Sequence, residues 1–256
     1  MPTWKLTIEY DGSRYSGWQD QTNARTIAGE LRQAAEEIFG GPVEIMGAGR
    51  TDAGVHAAAQ VAHLRADARR RIAPAEIKRR LNEIIPFDIA VLNVADVSPG
   101  FHARHDAIAR SYVYQISTRK TAFSKKYVWW IKEPLDVGAM REAAGLFVGM
   151  NDFRGFTDDD AEVKSTLVHV EGLEIAEAGP LILIRVRGSH FLWKMVRRIV
   201  GVLAAVGRRE IAPRDAISAD LDVAALTAPA AGLFLEGVYY AGDSGPGPIV
   251  PVLNLR

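Results

Sequence analysis

The chain has 256 residues, 48% of them hydrophobic and 24% charged, with 31 basic and 31 acidic side chains and a net charge of zero. At about 150 residues per domain, that length suits one large or two modest domains with ample apolar material for a core. The lack of cysteine excludes disulfides, thiolate metal sites and a Cys nucleophile, and no run reaches the roughly 18 apolar residues of a membrane span.

The opening MPTWKLTIEYDG carries charges where a secretory leader needs an apolar run, so a cytoplasmic setting is expected. Within it, Lys5 to Tyr10 alternates like a strand and ends at the turn signal Asp11-Gly12. SRYSGWQDQ is too irregular for an element and reads as a loop anchored by Trp18. Thr26 then stands as the N-cap of a helix reaching Phe39. Its apolar face is Ile27, Leu31, Ala34, Ala35 and Ile38, and Gly40-Gly41 closes it.

Val43 to Met46 reads as a short strand, and Gln60 to Leu64 as another. Between them lies GAGRTDAGV, where Gly47, Gly49 and Gly54 free the backbone and Arg50 and Asp52 sit near the tip. Taken alone, Asp52 in such a loop is either a turn residue bonding its own amides or a carboxylate presented for chemistry.

A helix is expected from Ala73 to Ile85, with Pro74 in its first turn, and a strand from Asp88 to Val94. Residues 101 to 117, FHARHDAIARSYVYQIS, begin polar and become a strand in which Tyr112 and Tyr114 share a face. Rings interleaved with Arg suit base stacking and phosphate contact, but tyrosines are also ordinary β-formers.

Asp136 to Gly149 reads as a helix. NDFRGFTDDDAE reads as a loop whose acidic run, Asp158, Asp159, Asp160 and Glu162, is solvated. Thr166 to Ala176 and Leu181 to Val186 form a hairpin turning at Gly179-Pro180. Residues 191 to 207 form a helix with the stripe Leu192, Met195, Val196, Ile199, Leu203 and Val206, leaving Arg197 and Arg198 as candidate surface charges. APAAGLFLEGVYY supplies a loop and a strand before a Gly/Pro-rich tail.

The elements follow a β-α-β-β-α-β-like order twice, which predicts two α+β halves with mostly antiparallel sheets, residues 1–105 and 106–256. Although the net charge is zero, it is unevenly spread. From Phe101 to Val128 six basic residues (Arg104, Arg110, Arg119, Lys120, Lys125, Lys126) face one acid, Asp106. From Arg65 to Arg80 seven (Arg65, Arg69, Arg70, Arg71, Lys78, Arg79, Arg80) face Asp67 and Glu76. Such clusters either neutralise phosphates or are plain solvated faces.

GAGRTDAGVHA closely resembles the active-site segment of the tRNA pseudouridine synthase A family. The likeness extends to Tyr10-Asp11-Gly12 with Gly17-Trp18-Gln19 and Gln21, to FHAR with the later A-R-x-Y-x-Y, to HFLWKMVRRIVG, and to A-P-A-x-G-L-x-L. It implies two ferredoxin-like halves meeting at a basic cleft, and isomerisation of uridine to pseudouridine at positions 38 to 40 of the tRNA anticodon stem-loop. It further implies Asp52 as the catalytic carboxylate, Tyr112 against the target base, Arg197 paired with Asp52, and Arg50 in the space left by a flipped nucleotide. Arg104, Arg110 and Gln19 become candidate RNA contacts. Neither cofactor nor metal is implied, and a homodimer is. The chain departs from the family pattern at Ala28, where Gln is usual, and at His169, where Arg is usual.

Two other classes compete with the isomerase: a non-catalytic tRNA-binding protein of the same fold, and an aspartyl-nucleophile hydrolase. The latter needs further acids to hold Mg²⁺, which the Asp52 loop lacks. His56 and His63, flanking the second strand, read as structural or substrate-contact residues because no third ligand clusters with them.

Overall fold

The computed structural model describes residues 1–67, 72–160 and 165–255. In chain order the elements are β1 (Thr3–Tyr10), α1 (Ile27–Phe39), β2 (Val43–Gly47), β3 (His56–Ala66), α2 (Pro74–Ile84), β4 (Ile89–Val97) and β5 (Ala107–Ser117). There follow β6 (Trp129–Trp130), α3 (Val137–Ala144), β7 (Gly149–Asp152), β8 (Leu167–Ala178), β9 (Leu181–Gly188), α4 (Met195–Gly207) and β10 (Leu233–Tyr240). The chain divides into two compact units, Met1–Ile108 with Leu235–Ser244, and Ala109–Phe234 with Gly245–Arg256. Both mix helices with mostly antiparallel strands, so the class is α+β.

In the first unit β1 runs antiparallel to both β3 and β4. β2 pairs antiparallel with β3, from Val43 opposite Ala66 to Gly47 opposite Ala62. Since β1 occupies one edge of β3, the other edge is shared by β2 and β10. That pairing is why Leu235–Ser244, placed with the second half in a linear division, packs with the first.

Local signals set α1 as the sequence predicts. Thr26 Oγ1 accepts the Gly29 amide, and Gly40 ends the helix at φ 69°, a conformation glycine adopts without strain. Trp4, Leu6 and Ile8 of β1 are fully buried with Ile27 and Leu31 of α1 and Ile77 and Leu81 of α2, each such side chain contributing roughly 1.5–3 kcal/mol. Gln60 to Leu64 are all buried, so β3 is covered on both faces and shows no in–out alternation.

In the second unit β9 lies between β5 and β8, and β8 pairs with β7, all antiparallel, while β6 adds a short parallel pairing to β5. Three expectations change here. The helix predicted to Gly149 ends at Ala144 and tightens into a 3₁₀ turn, Gly145–Phe147, and Gly149 then opens a strand. The sequence pattern predicts helix end and loop where this strand, β7, lies. It is only four residues long, and the packing of Phe147 with Phe153 and Phe156 (ring centroids 5.5–6.4 Å apart) holds the chain around it. Finally, α4 begins at Met195 rather than 191, because Lys194 adopts a left-handed conformation at φ 62°. The helix is buried around nearly its whole circumference, Arg198 included.

Candidate active site

In the first unit the loop carrying Asp52 is held from several sides by the segment after β1. Tyr10 Oη and Thr51 Oγ1 share a buried hydrogen bond of 2.8 Å, and the Trp18 amide donates to the Thr51 carbonyl at 3.0 Å. The Gln60 side-chain amide donates to the Gly49 carbonyl at 3.0 Å, and the Ala48 amide to the Val61 carbonyl at 2.7 Å. The Val55 amide closes the turn onto the Asp52 carbonyl at 3.1 Å.

Two glycines of the Trp18 loop matter because backbone meets backbone. A Cβ on Gly12 would lie 1.9 Å from the Val55 carbonyl oxygen, and one on Gly17, already at φ 94°, 2.6 Å from that of Thr51. Thr51 and Val55 are therefore buried, Asp52 between them is half-buried, and Arg50 is exposed. The arrangement puts one carboxylate-bearing residue at the surface of a loop whose neighbours cannot shift.

Both histidines flanking this region are structural. His56, 1% exposed, accepts the Gly12 amide at Nδ1 (3.1 Å) beside the Asp11 carboxylate. His63 is fully buried and accepts the Ala103 amide at Nδ1 (3.1 Å), so its hydrogen sits on Nε2 and is donated to Glu44 (3.1 Å). That hydrogen bond is the main reason the Glu44 carboxyl is held below the usual range. His63 thus anchors the FHAR turn. His102 continues the anchoring by accepting the Arg104 and His105 amides (3.2 Å each), which presents Arg104 at the surface. Among the described residues no three His, Asp or Glu side chains are grouped to hold a metal. Nor, among them, is any helix long and apolar enough to cross a membrane.

In the second unit, Tyr112 on β5 is 8% exposed and meets the Phe191 ring edge-on, centroids 5.2 Å apart. Arg110, two residues earlier, is also buried and donates to the Ser189 carbonyl at 2.8 Å. Arg197 on α4 is half-buried. Its Nε donates to the Ala228 carbonyl at 2.7 Å, and its own carbonyl accepts the Ala228 amide at 3.1 Å. A Cβ on Gly201, one turn on, would lie 1.7 Å from the Leu226 oxygen, so glycine lets this loop reach the helix. Tyr114 backs the same loop through Oη to the Pro229 carbonyl (2.7 Å). Burial pushes its hydroxyl well above the ordinary tyrosine range, with the Arg197 charge acting in the other direction.

Gln19 and Arg50 are exposed on the first unit. Arg198, weighed in the sequence as a surface charge, is instead 3% exposed and ion-paired with Asp158. The acidic run is exposed at Asp158 and Asp160, as expected of a solvated loop, but it also carries specific partners. Asp158 also pairs with Lys194 (2.7 Å), and Asp159 accepts the Trp193 amide (3.1 Å); Glu162 lies outside the described residues. Of the basic cluster at 65–80, Arg65 pairs with Glu44, and Arg79 and Arg80 pair with Glu76 on their own helix, so they are largely neutralised. Arg69, Arg70 and Arg71 lie outside the described residues. Tyr10, Thr51, Gln60 and the Ala228 loop are not legible in the sequence as supports, since their partners lie 11 to 41 positions away.

The family model for tRNA pseudouridine synthase matches residues 6–106 and 143–241. A tRNA pseudouridine synthase A of Moorella thermoacetica is 40% identical over 249 residues, covering 94% of this chain and 100% of that protein. A tRNA pseudouridine synthase A 2 of Bacillus anthracis is 39% identical over 248 residues, again 94% and 100%. One from Maricaulis maris is 37% identical over 251 residues, 95% and 100%. The chain belongs to the tRNA pseudouridine synthase family.

Proposed function

We propose that this chain is an isomerase that converts uridine to pseudouridine in tRNA, at positions 38 to 40 of the anticodon stem-loop, with Asp52 as its catalytic carboxylate. The supporting observation is the Asp52 loop, in which a half-buried carboxylate is carried by backbone pinned through Tyr10, Trp18 and Gln60. A preset carboxylate is what the reaction asks for, because the energetic work lies in placing one nucleotide accurately rather than in supplying a co-substrate.

A uridine inside a stem is first flipped out, at a cost of a few kcal/mol in lost stacking. Arg50, exposed beside Asp52, fills the vacated space and contacts phosphate. The N1–C1′ bond then breaks. The carboxylate either bonds C1′ or takes the C2′ proton, and both routes begin from the same ionised group. The uracil turns over, C5 bonds to C1′, and the C5 proton leaves while N1 gains one, so the product has the substrate's formula. In this reading Arg197 is the partner of the carboxylate and aims it through the guanidinium fork. Tyr112 lies against the base and assists loss of the C5 proton. Arg104, Arg110 and Gln19 contact the RNA. A homodimer is part of the reading, and sizing in solution tests it.

Tritium release from tRNA carrying 5-tritiated uridine tests the central claim. The native protein releases tritium; Asp52→Asn binds tRNA with native affinity and releases none. Normal release from that variant refutes Asp52, and absence of release from the native protein leaves a binding protein.

A further inference from the structure

The three aspartates after the Phe153–Phe156 turn sit oddly in a protein that binds a polyanion. Each carboxylate near an RNA surface repels phosphate. Two of them nevertheless point at the start of α4. Asp158 binds Lys194 Nζ at 2.7 Å and the Arg198 guanidinium. Asp159 accepts the Trp193 amide at 3.1 Å.

These contacts bear on how the helix begins. Lys194, its N-cap residue, is left-handed and makes no side-chain cap, and the Met195 amide turns back to the Leu192 carbonyl at 3.2 Å. Arg198 has 4% of its side chain exposed, and its charge is stable there only with a counterion. Asp158 and Asp159 thus hold the start of the helix from 34 to 40 positions away, through the Lys194 and Arg198 side chains and the Trp193 amide. Between Lys194 and Arg198, on the same turn, stands Arg197, whose other support is the Ala228 carbonyl. The first turn of α4 is therefore clamped from two directions, by the Asp158 loop and by the 226–228 loop.

We propose that Asp158 is a positioning residue: through Lys194 and Arg198 it sets the first turn of α4 and so the placement of the Arg197 guanidinium. This rests on the role given to Arg197 above. The acid is kept near RNA because it binds protein cations, and its charge is spent on them rather than facing phosphate. Binding and turnover consequently respond to it in opposite ways.

The test uses the full chain with Asp158→Asn and Asp158→Glu, measuring single-turnover tritium release at saturating tRNA, tRNA affinity by filter binding, and thermal melting. For Asp158→Asn the expected result is a rate about 10- to 100-fold lower, as for a displacement of up to about 1 Å, with tRNA affinity equal or tighter. Asp158→Glu, which keeps the charge, recovers most of the rate. A folded Asp158→Asn with native rate overturns the proposal. So does a rate loss that Asp158→Glu does not recover, or one matched by an equal loss of affinity. If Asp158→Asn does not fold, Asp158→Asn/Arg198→Met leaves no buried charge unpaired. Slow turnover at native affinity then supports the proposal, and native turnover overturns it. A native protein that releases no tritium defeats the isomerase reading itself, which is a separate outcome.

Discussion

Gly12→Ala probes how far the Asp52 loop depends on the segment that braces it. The added methyl would sit 1.9 Å from the Val55 carbonyl oxygen and 2.7 Å from its carbon, whereas real Cβ contacts essentially never fall below 3.0 Å. The two backbones must separate by at least the difference, 1.1 Å. Val55 cannot yield alone, because its amide closes the turn onto the Asp52 carbonyl at 3.1 Å. On the other side the Gly12 amide is tied to buried His56 (3.1 Å). A shift of that size at the carboxylate proposed to react corresponds to about 10²-fold in rate, near 2.7 kcal/mol of barrier, with about 1–3 kcal/mol of lost stability from overpacking. Single-turnover tritium release and urea unfolding measure the two effects separately. Gly41→Ala is the control, since nothing lies within 4 Å of its Cβ position. If Gly12→Ala retains the native rate, the loop is not held by this contact and the claim of a preset carboxylate falls.

Two smaller perturbations test the supports individually. Tyr10→Phe leaves the buried Thr51 hydroxyl without its 2.8 Å partner and should lower stability by about 1–3 kcal/mol at unchanged denaturant slope; an unchanged midpoint would count against a load on that bond. His102 is held below the ordinary histidine range first by burial and then by the charges of His105 and His63. The unfolded chain therefore binds this proton more readily than the folded one. Stability is fully present above the ordinary histidine range and lost as pH falls below it. The Arg104 and His105 amides, which donate to His102, should then exchange faster on acidification after correction for intrinsic rates, and His102→Gln should flatten that dependence.

Where a structure is decided within a few residues, the sequence was enough to read it. Thr26 and Gly40 bound α1, Pro74 opens α2 and Gly179, at φ 59°, turns the β8–β9 hairpin, because caps and turns depend on side chains and dihedrals close by. The family membership was also legible, since the RTD loop, the FHAR turn and the MVRR helix are contiguous strings. Misreadings fall where distant segments outvote local pattern. The periodicity of residues 191–207 continues through Lys194, yet the helix starts only at Met195, after a left-handed residue set among partners near position 158. The acidic run is exposed as read, but its pairing with Lys194 and Arg198 rests on residues 36 and 40 positions away.

The amino-acid order by itself determined the family to which this chain belongs and which groups it offers: a carboxylate in a glycine-rich turn, and no thiol. Only the tertiary structure decided why the glycines are there. Those at 12, 17 and 201 admit a backbone arriving from 25 to 43 positions away, and such a contact exists only once the chain has folded.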